Sequence, residues 1–334
     1  MVQLANYYRY GALAASTHRT YDAGVRSYIQ FTSTQLQLNE EQIWPPTEAA
    51  IEQWLAWLAG IRARSYQTIC NYLIGLNTRT LDKGYQLITA NSYRINRTLE
   101  GIKRRTGIKP RPIRRPLTTT ILRERIAPIL PATAYRSYEE CLIWAALCTG
   151  TYGLMRAGEI SQTPAAKSAN LKPLSLANLS AWNQQGKSIQ LNSFNIQSSY
   201  YFIIHLPQSK ADRYRKGVNV TISNTIAVQS LIAYVQRHPQ INSPDSPLFI
   251  NQDSSPLSVV QLVIEMRKLL ERAGINEAHE YYGHSMRKGG AQSLRELPNI
   301  TNEQIKVAGR WSSNAHEAYH TTPLNEHIIL NQRL

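Results

Sequence analysis

A basic, proline-containing segment divides the chain into two parts with different residue patterns. Residues 103–115, KRRTGIKPRPIRR, contain seven basic residues, two prolines and no acidic residue. Proline blocks helix continuation and restricts the residue before it, so this segment is expected to be extended. The same composition fits a nuclear localisation signal or a merely solvated linker. The pattern predicts a flexible arm at 1–15, a helical domain at 16–107, a linker at 108–116 and a second domain at 117–334.

The N-terminal part has the apolar period of a small helical bundle. Ser16 or Thr17, Thr47, Ser65 and Ser92 each precede an apolar stripe, and they are predicted to cap four helices. Four such helices with short connections pack as a bundle. The side chains expected to face the core are Tyr21, Val25, Tyr28, Ile29, Ile51, Trp54, Leu55, Leu58, Ile69, Tyr72, Leu73, Leu76, Ile95, Leu99 and Ile102.

The C-terminal part changes from a helical period to a strand period and back. Between residues 187 and 222 the apolar period becomes two, which is typical of strands. We therefore predict a mainly α fold with a small antiparallel β-sheet, in which a four-helix N-terminal domain precedes an α+β domain. The predicted strands are 188–191, 200–206 and 217–222, and the helices are 119–129, a buried one at 137–148, 226–236 and 258–273.

Both parts of the chain are basic, which favours a polyanion as partner. The net charge is +15; residues 1–116 hold 16 Lys and Arg against 7 Asp and Glu, and residues 117–334 hold 21 against 15. Positive charge on both sides of a linker suits a clamp around nucleic acid better than a single basic tail would. Solubility alone is the simpler explanation. An anionic membrane surface is disfavoured, because no strongly basic amphipathic helix stands out.

Composition argues against a membrane-spanning protein and against a protein built on disulfides or a cysteine metal site. No apolar run approaches the roughly 18 residues that a membrane span needs, so we expect a soluble, intracellular protein. Cys70, Cys141 and Cys148 lie in apolar helical stretches without disulfide or metal-site spacing. They are expected to be buried, reduced thiols.

Two arginines in the C-terminal part each have a polar residue three positions away. Arg156 and Glu159 are three residues apart in TGTYGLMRAGEI at 149–160. Such a pair is usually a surface ion pair, but the apolar surroundings favour a less exposed charge that has a partner. His284 and Arg287 are also three apart, so they share one face of a helix turn and can reach the same phosphate oxygens.

Two glycines and a capping box follow the second pattern. Gly289 and Gly290 would let another backbone pack close to the helix. Thr301 and Gln304 form a capping-box pair for a short helix that ends at Gly309.

Trp311 follows that helix, and helical spacing would present Tyr319 two turns later, near the cations of His284 and Arg287. This order of residues resembles the C-terminal block of the tyrosine recombinases, DNA strand-exchange enzymes that include phage integrases and Cre-type proteins. The segment 149–160 resembles the first arginine block of that family, and the N-terminal bundle resembles its core-binding domain. The loop PQSKADRYRKG at 207–217 resembles its hairpin, with the lysine at Lys210.

The resemblance implies a role for each residue of the predicted site. Arg156 and Arg287 would bind the scissile phosphate, a task that suits a permanently charged, bidentate guanidinium. Tyr319 would attack the phosphorus and form a 3′-phosphotyrosine, and Lys210 would protonate the departing 5′-oxygen. The remaining roles are support of the site by Glu159, proton donation or acceptance by His284, and shaping of the pocket by Trp311.

The implied reaction needs no cofactor, because the covalent bond preserves the linkage and no carboxylate cluster indicates a divalent metal. The implied partners are double-stranded recombination sites and further copies of the chain, in a tetramer that exchanges C-terminal tails. The apolar stripe of the tail is equally compatible with packing on its own domain. His316 and His320 have helical spacing but no evident third ligand, so a zinc site is disfavoured.

Two departures from the common pattern indicate a subgroup. Trp311 stands where many members have histidine, as in Cre-type enzymes, and Tyr319 follows it by eight residues. Together with GRWSS at 309–313, this resembles the recombinases of eukaryotic mobile elements, the Crypton and DIRS groups. A nuclear location would follow from that origin, and a cytoplasmic or nucleoid location otherwise.

Basic residues near helix starts and in the linker are predicted to contact the DNA backbone, although each alone has the simpler explanation of a solvated charge. Two other functions remain open. One is a type IB topoisomerase-like enzyme that nicks and closes DNA as a monomer, and the other is a non-catalytic DNA-binding protein derived from a recombinase. The predicted DNA contacts are Arg62, Arg64, Arg94, Arg97, Lys103, Arg104, Arg105, Arg111, Arg114 and Arg115.

Overall fold

The structure is a computed structural model that describes residues 1–87, 89–107, 113–163, 173–192, 194–207 and 216–311. Two units follow one another, Met1–Arg111 and Pro112–Leu334, and the boundary between them lies inside the basic segment. Each unit has its own hydrophobic core. Within the described ranges, none of the helices combines the length and apolar composition that crossing a membrane requires.

The described residues of the N-terminal unit form helices around one core. Trp54 is fully buried at its centre, and its indole meets the Tyr28 ring edge-on at 5.4 Å. The predicted caps Thr47, Ser65 and Ser92 are confirmed, since each side-chain oxygen accepts from a backbone N–H three residues later. The helices are α1 (Val2–Gly11), α2 (Ala15–Gln35), α3 (Glu40–Ile43), α4 (Glu48–Gly60), α5 (Tyr66–Asp82) and α6 (Tyr93–Thr106), with a 3₁₀ turn at Thr89–Asn91.

Two details of α2 differ from the prediction. The helix begins at Ala15, so Ser16 and Thr17 lie inside its first turn and no side chain caps it. Ile29 is 37% exposed, whereas Tyr28 is buried. Adjacent residues on a helix point about 100° apart, so both side chains cannot face the same core.

The segment predicted as a flexible arm contains a helix, α1. Its C-terminal end is held by tertiary contacts: the Tyr10 ring stacks on the His18 ring at 3.9 Å, and the Tyr10 carbonyl lies 2.8 Å from His18 Nε2. Arg9 also donates to the Asp82 carbonyl at 3.1 Å. These partners lie outside the local sequence window, so the apolar period of 1–15 did not reveal the helix.

The C-terminal unit is built around α7 (Tyr138–Tyr152). A capping box between Ser137 and Glu140 begins this helix, and every residue from 141 to 151 is buried, which confirms the predicted central helix. Cys141 and Cys148 are free and buried in it, and burial raises the pKa of both thiols. Cys70, in the other unit, is only half-buried.

A four-stranded antiparallel sheet has the order β2-β1-β3-β4. It comprises β1 (Leu179–Trp182), β2 (Ser188–Ile189), β3 (Tyr201–Leu206) and β4 (Val218–Ile222). The mainly helical class with one small antiparallel sheet is thereby confirmed. β1 was not predicted, because its four residues are too few to establish an alternating pattern.

The region predicted as a helix at 119–129 differs from the prediction. It is a π-helical turn at Ile121–Ile126 followed by a 3₁₀ turn at Ala127–Ile129. Further 3₁₀ turns are Thr133–Tyr135, Leu176–Asn178, Asn195–Ser198 and Ala278–Glu280. The later helices are α8 (Ala157–Ile160), α9 (Thr225–Val235), α10 (Val259–Arg272), α11 (Ser285–Arg295) and α12 (Asn302–Ala308).

Candidate active site

The first arginine pattern lies at the start of α8, just after the central helix ends. Glu159 holds Arg156 at two points: its Oε2 accepts from the Arg156 backbone N–H at 2.9 Å, and its Oε1 accepts from Arg156 Nη1 at 2.6 Å. The Glu159 side chain is 8% exposed and that of Arg156 is 22% exposed. The pair is therefore sheltered, as its apolar surroundings indicated, while the guanidinium retains access to solvent.

The second pattern lies at the start of α11, where its two members have different surroundings. His284 is the N-cap of the helix and is exposed, whereas the Arg287 side chain is completely buried. Arg287 Nη1 donates to the Leu154 carbonyl at 2.6 Å, Nη2 donates to the Gly309 carbonyl, and the guanidinium lies 4.3 Å from the centre of the Trp311 ring. Arg287 thus joins three separate segments.

Arg310 completes this arrangement, and the sequence interpretation missed it. Its Nη1 donates to the Gly153 carbonyl at 3.0 Å, and its Nη2 lies 3.1 Å from the Leu154 carbonyl and 3.4 Å from Glu159 Oε2. Burial lowers the pKa of the Arg310 guanidinium, and the Glu159 carboxylate opposes that shift. The sequence signal that could have identified Arg310 is its position between Gly309 and Trp311, two residues that were both assigned roles.

The Leu154 carbonyl is the point where these contacts meet, because it accepts from both Arg287 and Arg310. Leu154 and Arg310 have left-handed backbone conformations, with φ of 48° and 57°. Such conformations are costly for residues other than glycine, and the hydrogen bonds around them offset the cost. Arg156, Glu159, Arg310, Arg287 and Trp311 therefore form one continuous network of contacts.

Backbone contacts bring α11 against both α7 and α8. The Ala157 N–H donates to the Gly283 carbonyl at 3.1 Å, which places the residue before His284 beside the residue after Arg156. A Cβ on Gly289 would lie 1.8 Å from the Leu117 carbonyl oxygen, and one on Gly290 would lie 2.1 Å from the Thr151 carbonyl oxygen. The close backbone approach predicted for these glycines is confirmed.

Trp311 depends on a third glycine and on the predicted capping box. Thr301 and Gln304 cap α12 reciprocally, and the helix ends at Gly309, as the sequence indicated. A Cβ on Gly309 would lie 1.6 Å from the Trp311 ring. Because that position has no side chain, the indole can pack where Arg287 reaches it.

Further positive charge surrounds Tyr282, two residues before His284. The Arg267 guanidinium lies 4.7 Å from the centre of the Tyr282 ring, and that of Arg114 lies 5.8 Å from it. Lys288 Nζ donates to the Arg114 carbonyl at 3.0 Å, and burial lowers its pKa. The sequence interpretation assigned no role to Arg267 or Lys288. Each lies in a helix, where the local spacing of residues indicates only a helical position.

Several of the predicted DNA contacts are ion-paired within the chain. Arg94 Nη2 lies 2.5 Å from Glu52, and Arg104 Nε lies 3.1 Å from Glu100. Arg115 bonds Glu280 at 2.5 Å, and this hydrogen bond raises its pKa. The remaining described ones are Arg62, Arg97, Lys103 and Arg114, which lie over the rings of Trp57, Tyr93, Tyr66 and Tyr282, and Arg64 and Arg105, which are exposed.

Comparisons with known proteins give no match by sequence: no family model matches, and no curated protein matches either. The XerH site-specific recombinase is similar in structure, with a TM-score of 0.62 in its post-cleavage complex with a palindromic difH substrate and 0.57 in its pre-cleavage complex. In both, 18% of residues are identical, over 94% of this chain and 78% of that one. The Tn1549 transposon integrase, in complex with transposon right end DNA, has a TM-score of 0.53 and 12% identity over 95% of this chain and 99% of the integrase chain. The chain has the tyrosine recombinase fold.

Three features of the predicted site within this tyrosine recombinase fold lie outside the described residues. They are Lys210, Tyr319 and the predicted linker residue Arg111. The strands predicted on both sides of Lys210 are confirmed, since β3 and β4 pair with Leu206 opposite Val218. Among the residues that the structure does describe, no three His, Cys, Asp or Glu side chains could together hold a metal ion.

Proposed function

We propose that the chain is a site-specific DNA recombinase that cleaves and rejoins duplex DNA through a 3′-phosphotyrosine intermediate. One observation carries the proposal: Arg156, Glu159, Arg287 and Trp311 come from three distant stretches of sequence, and they belong to one contact network. These residues lie in a chain that has the tyrosine recombinase fold. The similar XerH and Tn1549 structures are complexes with DNA. The net charge of +15 supports a DNA partner.

In the proposed reaction, the Tyr319 oxygen attacks the scissile phosphorus while the bond from phosphorus to the 5′-oxygen breaks. Arg156, which is partly exposed and oriented by Glu159, binds a non-bridging oxygen. Arg287 acts from its buried position beside Trp311 and keeps the field at the phosphate positive. The phenol loses its proton to His284 or water, and Lys210 gives a proton to the departing 5′-oxygen.

Rejoining reverses these bond changes. The 5′-hydroxyl of another strand attacks the phosphotyrosine, and the phenol leaves with a proton. The number of phosphodiester bonds is conserved, so the reaction needs no nucleotide hydrolysis. Exchange between two duplex sites requires several active sites, for which we propose a tetramer with exchanged C-terminal tails. An origin in a eukaryotic mobile element would make the nucleus its location.

The experiment that tests the proposal does not require the target sequence in advance. The full chain is incubated with a pool of nicked duplexes whose central region is randomised, so that cleavage next to the nick releases a short strand and traps the adduct. DNA that stays attached to protein under denaturing conditions is sequenced, and the attached residue is identified by mass spectrometry. We expect enrichment of one sequence and attachment at Tyr319.

The enriched site then separates the alternatives. A recombinase forms recombinant joints only when two matching sites are present, whereas a topoisomerase-like enzyme relaxes a supercoiled plasmid without a second site. A non-catalytic DNA-binding protein would retain duplexes from the pool under native conditions and would leave no DNA attached under denaturing conditions. Either of the last two results would contradict the proposed exchange reaction.

Arg310→Lys tests whether the missed arginine positions the catalytic groups. Lysine keeps the charge near Glu159 but cannot also serve the Gly153 and Leu154 carbonyls. We expect the rate of adduct formation at saturating DNA to fall about a hundredfold, because small displacements of a positioned group have effects of that size. Duplex affinity should stay unchanged.

Arg237→Lys is the matched control for this variant. Arg237 also binds carbonyls, those of Thr133, Ala134 and Arg136, and it touches none of the candidate site residues. Its replacement should lower thermal stability in the same way and leave the cleavage rate of the folded protein unchanged. Equal cleavage rates for the two variants would show that Arg310 is only structural.

A further inference from the structure

The last residues of the basic segment, together with Pro116 and Leu117, lie along the stretch that carries His284. These residues, 114–117, form a strap over residues 280–285. Two backbone hydrogen bonds join the strap to the two ends of that stretch, at 3.0 and 2.8 Å: the N–H groups of Arg115 and Leu117 donate to the carbonyls of Glu280 and Ser285. The strap therefore contacts the chain on both sides of His284.

The stretch under the strap is fixed at every carbonyl. Each of the carbonyl oxygens from residue 280 to residue 285 accepts a hydrogen bond. A backbone bonded in this way has little freedom to shift, so the donors set the position from which the His284 side chain projects. In the order of the carbonyls, the donors are the Arg115 N–H, Arg267 Nε, the Ser285 N–H, the Ala157 N–H, the Lys288 N–H and the Leu117 N–H.

The Arg115 side chain strengthens the hold of the strap. Its Nε donates to Glu280 Oε2 at 2.5 Å, and its Nη2 lies 3.7 Å from Glu277 Oε1. Arg115 thus grips Glu280 twice, once through the backbone carbonyl and once through the carboxylate. A guanidinium that two carboxylates share has its charge balanced within the chain, and a phosphate would have to compete with both of them. This arrangement favours a structural role over the predicted contact with DNA.

We infer that the strap positions His284 for the reaction, and that Arg115 is a positioning residue which acts through Glu280. The inference rests on the proposed function, in which His284 is a group that can take the phenol proton. A group that transfers a proton must lie within hydrogen-bond reach of it, and a small displacement slows the transfer. Loss of the Arg115 side chain would loosen one end of the stretch that carries His284.

The test measures the rate of adduct formation by Arg115→Gln, by Glu280→Gln and by the chain with both changes, at saturating nicked duplex. Each single variant should be about tenfold slower, which is part of the contribution that a general acid or base makes. The double variant should be no slower than either, because both changes break the same contact. Duplex affinity and its salt dependence should stay unchanged in all three.

Arg79→Gln is the matched control. Arg79 is also an arginine shared by two carboxylates, those of Asp22 and Asp82, and it lies in the N-terminal unit. Its replacement should lower thermal stability and leave the cleavage rate of the folded protein unchanged. A tenfold slower rate in this control as well would show that loss of any such ion pair slows the reaction, and the inference would be overturned.

Two further comparisons separate positioning from DNA binding. In a His284→Ala background, scored over long incubations, Arg115→Gln should slow adduct formation no further; another tenfold loss there would mean that Arg115 does not act through His284. If Arg115→Gln weakens duplex binding and lowers the slope of log K against log salt by about 0.9, while Glu280→Gln does neither, Arg115 is a DNA contact and the inference is wrong.

Hydrogen exchange without DNA distinguishes failure of this inference from failure of the proposed function. The Tyr282 N–H donates to Ser285 Oγ at 2.8 Å, and the Ser285 N–H donates to the Tyr282 carbonyl at 2.8 Å. Both amides should exchange faster in Arg115→Gln than in Arg79→Gln. Faster exchange without any adduct from the unchanged chain would contradict the recombinase and leave the strap as the support of residues 280–285. A normal adduct rate in Arg115→Gln would overturn the positioning role and leave the recombinase.

Discussion

Replacing Tyr319 with phenylalanine is expected to abolish the covalent protein–DNA adduct while leaving duplex affinity within about twofold, the effect of a neutral substitution. The change removes one oxygen atom, and that atom forms the bond to phosphorus in the proposed reaction. A phenol in water has a pKa of about 10, so it must lose its proton in a positive environment to attack at neutral pH. Arg156 and Arg287 supply the permanent positive charges of the proposed site.

Tyr282→Phe is the control for this prediction. Tyr282 lies near His284 and interacts with two cations through the face of its ring, which phenylalanine preserves. The control should therefore form the adduct at a rate close to that of the unchanged chain. An adduct of normal yield with Tyr319→Phe would mean that another residue is the nucleophile, and the proposed mechanism would be wrong.

Gly289→Ala is expected to destabilise the C-terminal unit by more than about 3 kcal/mol, or to prevent its folding, because the new methyl group would meet backbone instead of a flexible side chain. The Leu117 carbonyl lies 1.8 Å from the Cβ position. The Leu117 segment cannot move freely, since its N–H donates to the Ser285 carbonyl at 2.8 Å and the Thr119 N–H donates to Ser293 Oγ at 2.9 Å.

The measurement is unfolding by denaturant, followed by a signal from the C-terminal unit. Gly101→Ala is the control, because no atom outside its own helix backbone lies within 4 Å of a Cβ at this position in α6. It should stabilise the N-terminal unit by up to about 1 kcal/mol, the difference in helix propensity. If Gly289→Ala unfolds at the same denaturant concentration as the unchanged chain, α11 and the Leu117 segment do not pack as described.

Much of the fold could be predicted because its signals are local. Thr47, Ser65 and Ser92 cap their helices through bonds to residues three positions away, so the information lies within one turn. The burial of the centre of α7 follows from the continuous apolar run at residues 141–148. By contrast, α1 was missed because the contacts at its C-terminal end, to His18 and Asp82, reach outside its own sequence.

The candidate site also has features that the local sequence indicated and features that only the fold determines. Together with the resemblance to the tyrosine recombinases, spacing pointed to Arg156 with Glu159 and to His284 with Arg287, because a helix turn brings residues three apart onto one face. It could not indicate that Arg287 is buried and His284 exposed, since burial depends on which segments pack against that turn.

What the sequence by itself determined about this protein is most of its helices, three of the four described strands and most of the chemical groups proposed for its site. What only the tertiary structure decided is how those groups are held. Arg310 reaches Glu159 across 151 positions, and Arg287 reaches Leu154 across 133. The physical reason is that a hydrogen bond needs its two atoms within about 3 Å, and for residues this far apart only the packing of the whole domain sets that distance.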